Sequence, residues 1–400
     1  MLKNNVFLDI GPLSCACSDH VLGTIAKALS GSDGLSHDIW ALHESPFVRS
    51  LVELFSSRGL LQLDKVQTEL KAWVAGKRFI PNGLGVDGRP VLSVGRLDAN
   101  ELALVRIYLE NLPPEKFTAA DWSLLVDYLV SRYMPPKVAY SEAEWLTVRS
   151  TFMGKVQANI ANLNAAQAEG LVAALPSTVA EAKREFSPSP SLQAIIDFGL
   201  ERCADNITAI NDATRHRIKR VIMNHEEQRL LGDRPPESAL QTQLVDEFAA
   251  LNRDWRRIAL TEVAENAGNG MIASVAPGGR VRRVEQYVGS CDFCRKIHGR
   301  IFTVVSPDKK DKNWDTEVWV GKSNIGRSGA KMKRTDDGLV PRAESELWTV
   351  PAGPVHPHCR GIWVPVEDAK PTDDPSFAKW LDAHFAKHRR SAEQLAESFR

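Results

Sequence analysis

The sequence predicts an α+β protein with mainly helical N-terminal and central regions, followed by a smaller, loop-rich α+β C-terminal module. Three observations carry this expectation. From Asp98 to Ile258, apolar residues recur every three or four positions behind helix-start signals. After Asn266 the texture turns Gly-rich and β-like. Within that last part, Cys291-Asp292-Phe293-Cys294 is answered by His356-Pro357-His358-Cys359, a pairing of the kind that holds a tetrahedral metal.

Composition sets the bounds. A chain of 400 residues with 43% apolar and 25% charged residues is ordinarily globular and long enough for two to three domains. Formal net charge is zero, so no global field advertises a nucleic-acid or membrane partner, and any such partner must be met by a local patch. Six cysteines are too few and too uneven for a disulfide-stapled secreted fold. Met1 to Gly11 lacks the charged and apolar regions of a signal peptide, and no run approaches the ~18 apolar residues of a membrane helix. The expected site of synthesis is therefore a reducing cytoplasm, with no membrane partner.

The elements follow in order. Residues 1–97 read as a region of unclear role: helical clusters at Val48–Phe55, Leu60–Leu63 and Leu70–Val74, then a Gly/Pro-dense stretch from Phe79 to Gly95. Cys15 and Cys17, near His20, read as small packed thiols because no second pair answers them. Asp98-Ala99-Asn100-Glu101 is a capping box opening a helix with Leu102, Val105, Ile107 and Leu109, stopped by Pro113-Pro114. A second helix from Ala119 carries Trp122, Leu125, Val126 and Leu129, up to Pro135-Pro136. Ser141-Glu142-Ala143-Glu144 reads as another capping box, before a stripe of Trp145, Val148, Phe152, Val156, Ile160 and Leu163. These elements define an expected helical domain at 98–187, closed by Ser187-Pro188-Ser189-Pro190.

A second expected domain covers 188–366. Its first helix carries Leu192, Ile195, Ile196, Cys203, Ile207 and Ile210 and continues through Ile218, Val221 and Ile222; Cys203 falls on the apolar stripe and reads as core. Beyond Pro235-Pro236, the seam Leu244, Phe248, Leu251, Trp255 and Ile258 reads as a bundle helix. These helices span 191–266, and a Cys/His module occupies 280–366, with strand-like texture at Arg282–Val288 and a hairpin arm at Ile297–Val305. Residues 367–400 form an amphipathic tail with Phe377, Trp380, Leu381 and Phe385 on one side.

Cys291, Cys294, His356 and Cys359 form the candidate metal set, with His358 as the alternate imidazole. A C-x2-C turn gathers two thiolates, and a distant H-x-x-C turn completes a tetrahedron of the type zinc takes. Four protein ligands leave no open position, so such a site is structural and stands in for a hydrophobic core. The same residues also read as reduced, packed cysteines beside a Pro-fixed turn.

Asp254-Trp255-Arg256-Arg257-Ile258-Ala259-Leu260-Thr261-Glu262, Ala267-Gly268-Asn269, C-x2-C-x3-H-G-R-I-F and the final H-P-x-C-R, in this order, resemble the phage Mu F-type head morphogenesis proteins, or minor head proteins. Val318 to Ser328 is similar to the subgroup of Mu-like phages of Gram-negative hosts. The likeness covers roughly residues 190–366. Many relatives end in C-R-C, whereas Gly361 follows Cys359-Arg360 here, so a fifth thiol is missing while the four-ligand set survives.

The resemblance implies assembly rather than catalysis. Such proteins are few per capsid, sit in the virion interior after synthesis in the bacterial host cytoplasm, associate with portal protein and other capsid components, and serve DNA packaging or ejection. Packaged DNA is a further expected partner without sequence specificity. Lys322, Arg327, Lys331, Lys333 and Arg334 are the contact candidates, in a stretch with no acidic residue, beside Arg280, Arg282, Arg283, Arg295, Lys296 and Arg300. The alternative for this stretch is a solvated loop balanced by Asp308, Asp311, Asp315, Asp336 and Asp337.

The rival function is a metal-stapled nuclease or ADP-ribosyltransferase-like enzyme acting on nucleic acid or host protein. No Asn or His follows His298 in the way a nuclease of the HNH type needs. Glu262, the imaginable catalytic acid, reads as a helix-surface residue near Arg256 and Arg257. A sequence-reading regulator is disfavoured because the residues between the two ligand pairs carry no recognition helix.

Overall fold

The computed structural model describes residues 46–74, 97–113, 116–157, 173–186, 188–233, 236–285, 290–336, 338–357 and 359–366, with Leu171, Lys379 and Ala383. The readings made for Cys15, Cys17, His20, the stretch at 79–95, Ile160, Leu163, His358 and the apolar residues of the tail lie outside these residues. The protein is mainly helical with a small strand-containing C-terminal module, as the periodicity predicts.

The described elements are α1 (Pro46–Val74), α2 (Ala99–Glu110), α3 (Ala119–Tyr133), α4 (Pro136–Gln157), α5 (Val179–Phe186), α6 (Pro190–Leu230), α7 (Glu237–Ala273), β1 (Arg280–Val284), α8 (Asp292–Ile297), β2 (Ile301–Val304), β3 (Glu317–Val318), β4 (Met332–Thr335), β5 (Gly338–Pro341) and β6 (Ile362–Pro365), with a 3-10 turn at Glu344–Glu346. They form two compact units. One comprises Met1–Val52, Glu144–Gly199 and Leu260–Arg400; the other comprises Glu53–Ala143 and Leu200–Ala259. The boundary expected at 187/188 does not coincide with this division, because α6 and α7 are single long helices that each contribute to both units.

The second unit is built on apolar stripes. The seam of α7 places Leu244, Phe248, Leu251 and Trp255 in the interior, and Phe55 of α1 meets the Trp255 ring at 5.6 Å between centroids. Phe117 lies between Trp73, at 6.2 Å in a tilted contact, and Trp122, which it meets edge-on at 4.8 Å. The capping box at α2 forms as predicted: Asp98 Oδ1 accepts the N–H groups of Asn100 and Glu101, and Glu101 Oε2 accepts the Asp98 N–H. The face of α2 differs from expectation, since Ile107 is exposed and Tyr108 is buried. The Tyr108 hydroxyl donates to Asp121 at 2.9 Å, which satisfies the polar end of a mostly apolar ring.

Two further expectations are corrected. The expected box at Ser141 lies inside α4, which starts already at Pro136, a proline preset for the first helical turn; the Ser141 hydroxyl donates instead to the Val138 carbonyl. The expected change of texture at Gly268 and Gly270 is helix: α7 continues to Ala273. These glycines mark close backbone approach rather than strand, because a Cβ at Gly270 would overlap the Thr151 carbonyl of α4, and one at Gly268 the Ala352 carbonyl.

The C-terminal module holds a four-stranded sheet of order β3-β2-β1-β6. β1 pairs antiparallel with β2 and β6, and β2 pairs parallel with β3. The β-like reading at Arg282 and the arm before Val305 are thereby realised as β1 and β2, while Ile297 closes α8. A separate hairpin joins β4 and β5. Alternation along β1 turns Val281 and Arg283 inward and Arg280 and Arg282 outward. The module's core gathers Val281, Phe302, Val304, Val318, Val350 and Trp363 around the three cysteines.

Candidate metal centre

The cysteine pair sits at the start of α8, a helix of six residues. Cys291 occupies the N-cap of α8 in extended conformation, and its carbonyl accepts the Arg295 N–H at 2.9 Å. Cys294 follows one turn in, so both thiols face the same interior. The second half is a tight turn at His356–Cys359, where the Cys359 N–H donates to the His356 carbonyl at 3.0 Å. Residues far apart in sequence thus meet within one buried cluster.

His356 is oriented by four contacts. Its Nδ1 lies 2.8 Å from the Pro357 carbonyl, so this nitrogen carries the proton and donates to that oxygen. Nε2 faces the thiols, 3.4 Å from Cys291 Sγ and 3.4 Å from Cys294 Sγ, and would be the nitrogen offered to a metal. The Trp348 ring stacks on the imidazole at 5.3 Å, and Phe293 meets Trp348 edge-on. Orientation of a ligand imidazole through its other nitrogen is the usual outer-shell device at metal sites.

Cys291, Cys294 and His356 lie within 4.8 Å of one another and are all buried, a group that could hold a metal ion. Cys359 joins it through Cys294, with the two sulfurs 3.8 Å apart. Glu285 extends the cluster: its carboxylate, with Cys294 and Cys359, makes a second group within the same reach. The sequence-predicted ligands are therefore brought together, and Glu285 is a donor that sequence reasoning missed. Its signal was positional, two residues beyond Arg283 on the continuation of β1.

The electrostatics without an ion are those of closely spaced donors sharing protons. Hydrogen bonding to Cys291 and Cys359, together with burial, pushes the Cys294 thiol far up. The hydrogen bond from Cys294 holds Cys359 well below the usual thiol range against the opposing effect of burial, helped by the Arg283 and His356 charges. Burial lowers His356, but hydrogen bonding to Cys291 and the nearby thiolates outweigh it and bring it to about 9.

The basic candidates separate by burial. Lys331 and Arg334 are exposed, as are Arg280, Arg282, Arg295, Lys296 and Arg300. Lys333 pairs with Glu346 at 2.6 Å, and Arg327 lies over Trp314 while donating to the Leu347 carbonyl. Lys322 is a correction. Only 1% exposed, its ammonium donates to the carbonyls of Trp314 and Glu317 at 2.6 and 2.8 Å and faces the Trp319 ring at 4.9 Å. It ties down the 314–319 segment and cannot reach a phosphate in this conformation. Arg283 is likewise buried, against Cys359.

Two residues weighed for catalysis are also placed. His298 is exposed, and its Nδ1 accepts the Glu285 N–H at 3.0 Å. Glu262 is 1% exposed rather than on the surface, because α7 buries this face against its own unit. Among the described residues, no helix is long and apolar enough to cross a membrane. No family model, curated protein or solved structure matches this chain.

Proposed function

We propose that this chain is a minor head protein of the Mu-like type, a structural component of phage head morphogenesis whose C-terminal module is stapled by zinc. The observation that supports it is where the motif residues of the resemblance lie and what they do. Asn269 of the Ala-Gly-Asn run accepts the Gly321 N–H at 2.7 Å, bridging α7 to the Val318–Ser328 segment. Within that segment, Asn324 donates to the carbonyls of Thr349 and Val355 and accepts the Thr349 N–H, fixing the approach to His356. Gly268 leaves room for the Ala352 backbone. The Ala-Gly-Asn run and the Val318–Ser328 segment thus consolidate the C-terminal module, while Trp255 of the first motif packs with Phe55 in the other unit.

Zinc fits the donor set. With metal–sulfur and metal–nitrogen bonds of about 2.3 and 2.0–2.1 Å, a tetrahedron has sulfur–sulfur edges of roughly 3.8 Å and sulfur–nitrogen edges of roughly 3.6 Å. The observed 3.8 Å between Cys294 and Cys359, and 3.4 Å from His356 to each of Cys291 and Cys294, fall close to those edges. Cys291, Cys294, His356 and Cys359 would hold the ion, and Glu285 stands next to them. When bound, zinc supplies a fixed cross-link between α8 and the turn before β6.

The proposed partners are portal protein and other capsid components in the virion interior, with packaged DNA met by the exposed Lys331, Arg334, Arg280, Arg282, Arg300 and neighbouring Arg295 and Lys296. The test is co-purification with portal protein together with detection in procapsids and virions. Presence in particles at low copy is the expected result; absence from both procapsids and virions contradicts the reading.

A further inference from the structure

The inner face of β1 carries a charge where alternation calls for an apolar side chain. Arg283 is 1% exposed, and its guanidinium is enclosed on three sides. Trp363, its register partner on β6, lies beneath the guanidinium carbon at 5.3 Å. Gly361 lies close against it: a Cβ there would come within 2.6 Å of a terminal nitrogen, so a side chain at 361 would displace the guanidinium. Among the described residues its one polar side-chain partner is a sulfur, Cys359 Sγ, at 3.5 Å from the terminal nitrogen, while its Nε is buried without a hydrogen bond.

An arginine this deep without a carboxylate partner is costly unless a negative charge meets it. The proposed metal centre supplies that charge. A divalent ion with three thiolates and a neutral imidazole carries a net charge of −1, and a buried anion of this kind needs a compensating cation. We propose that Arg283 is the counter-charge and positioning residue of the metal centre, holding Cys359 in ligand position through its guanidinium. This rests on the metal reading above, and the geometry supplies the reason for an otherwise unexplained buried cation. Trp363 and Gly361 flank the guanidinium, and the Glu285 carboxylate lies 3.9 Å from the Cys359 sulfur.

The test uses the full chain, with zinc affinity read by competition against a chromophoric chelator and cobalt(II) substitution read by its thiolate-to-metal charge-transfer absorption. R283M is expected to weaken metal binding 10–100-fold, the usual range for an outer-shell partner, and to shift the charge-transfer band. R283K is expected to recover most of the affinity, and K310M, at an exposed position between β2 and β3, to match the parent chain. R283M with parental affinity and an unchanged band overturns the proposal. Should R283M not fold in saturating zinc, R283K and R283Q decide: at least tenfold tighter binding by R283K supports the charge role, and equal affinities overturn it. A parent chain that binds neither zinc nor cobalt overturns the metal reading itself, a result distinct from failure of the Arg283 inference.

Discussion

The unit formed by Glu53–Ala143 and Leu200–Ala259 is held by large apolar side chains in helical register: Phe55, Trp73, Leu125, Leu129, Ile207, Phe248 and Trp255 are all essentially buried. The module from Arg280 to Val366 is built differently. Its strands are two to five residues long, and much of its interior is polar: three cysteines, His356, Arg283 and Lys322. Its loops are tied by side chains that bond to backbone: Asn269 and Asn324 hold segments distant from their own, and Lys322 holds the turn just before it. Helices satisfy their backbone internally and need only an apolar stripe. A loop-rich module must find partners for its backbone groups elsewhere, and it spends side chains to do so.

This contrast gives predictions that separate the two regions. The largest effect is expected for Cys294→Ser. Binding free energy at a structural zinc site is folding free energy, of the order of 10 kcal/mol in small zinc modules. Amides of β1, β2 and β6 should lose hydrogen-exchange protection while those of α2 and α3 keep theirs. Retained protection in the strands contradicts the stapled-module account.

Trp255→Ala is the reciprocal experiment. Removing a fully buried indole costs about 3–5 kcal/mol. Protection should fall in α1–α3, with metal content unchanged; simultaneous loss of the metal would mean that the two regions are not separable in this way.

The smallest effect concerns Lys322. Burial pushes its ammonium down to about 8, from an ordinary value of 10.5. A lysine lowered by folding binds fewer protons in the native state than in the unfolded one, so its contribution to stability increases with pH between those values. The stability of the parent chain relative to Lys322→Met should therefore rise from pH 8 to pH 10.5 by roughly 1–3 kcal/mol. A flat difference shows that the two carbonyls and the surrounding rings fully stabilise the charged form.

The helices were legible because their period is carried by bulky residues. The stripe Leu244, Phe248, Leu251, Trp255 and the box Asp98–Glu101 predict their own geometry. The metal ligands were legible for a chemical reason: few other patterns place paired thiols and an H-x-x-C turn. Harder to read were residues whose role depends on what lies across the fold. Gly268 and Gly270 look like breakers in isolation and become close-packing positions only when Thr151 and Ala352 approach. Lys322 looks like surface charge in a basic run, and Trp314, Trp319 and Phe302 enclose it only in three dimensions. Glu262 is buried by a helix face that periodicity alone did not assign. Arg283 was the nearest miss, since the alternation of Arg-Val-Arg-Arg-Val points it inward beside Val281.

The central claim is that an ion at Cys291, Cys294, His356 and Cys359 holds the C-terminal module together. Its most direct test is metal analysis of the purified full chain, combined with hydrogen exchange before and after a zinc chelator. The account predicts about one zinc per chain, and loss of protection in β1, β2 and β6 on chelation, restored by added zinc. Less than about half a zinc per chain, with those strands protected in the presence of chelator, would contradict it.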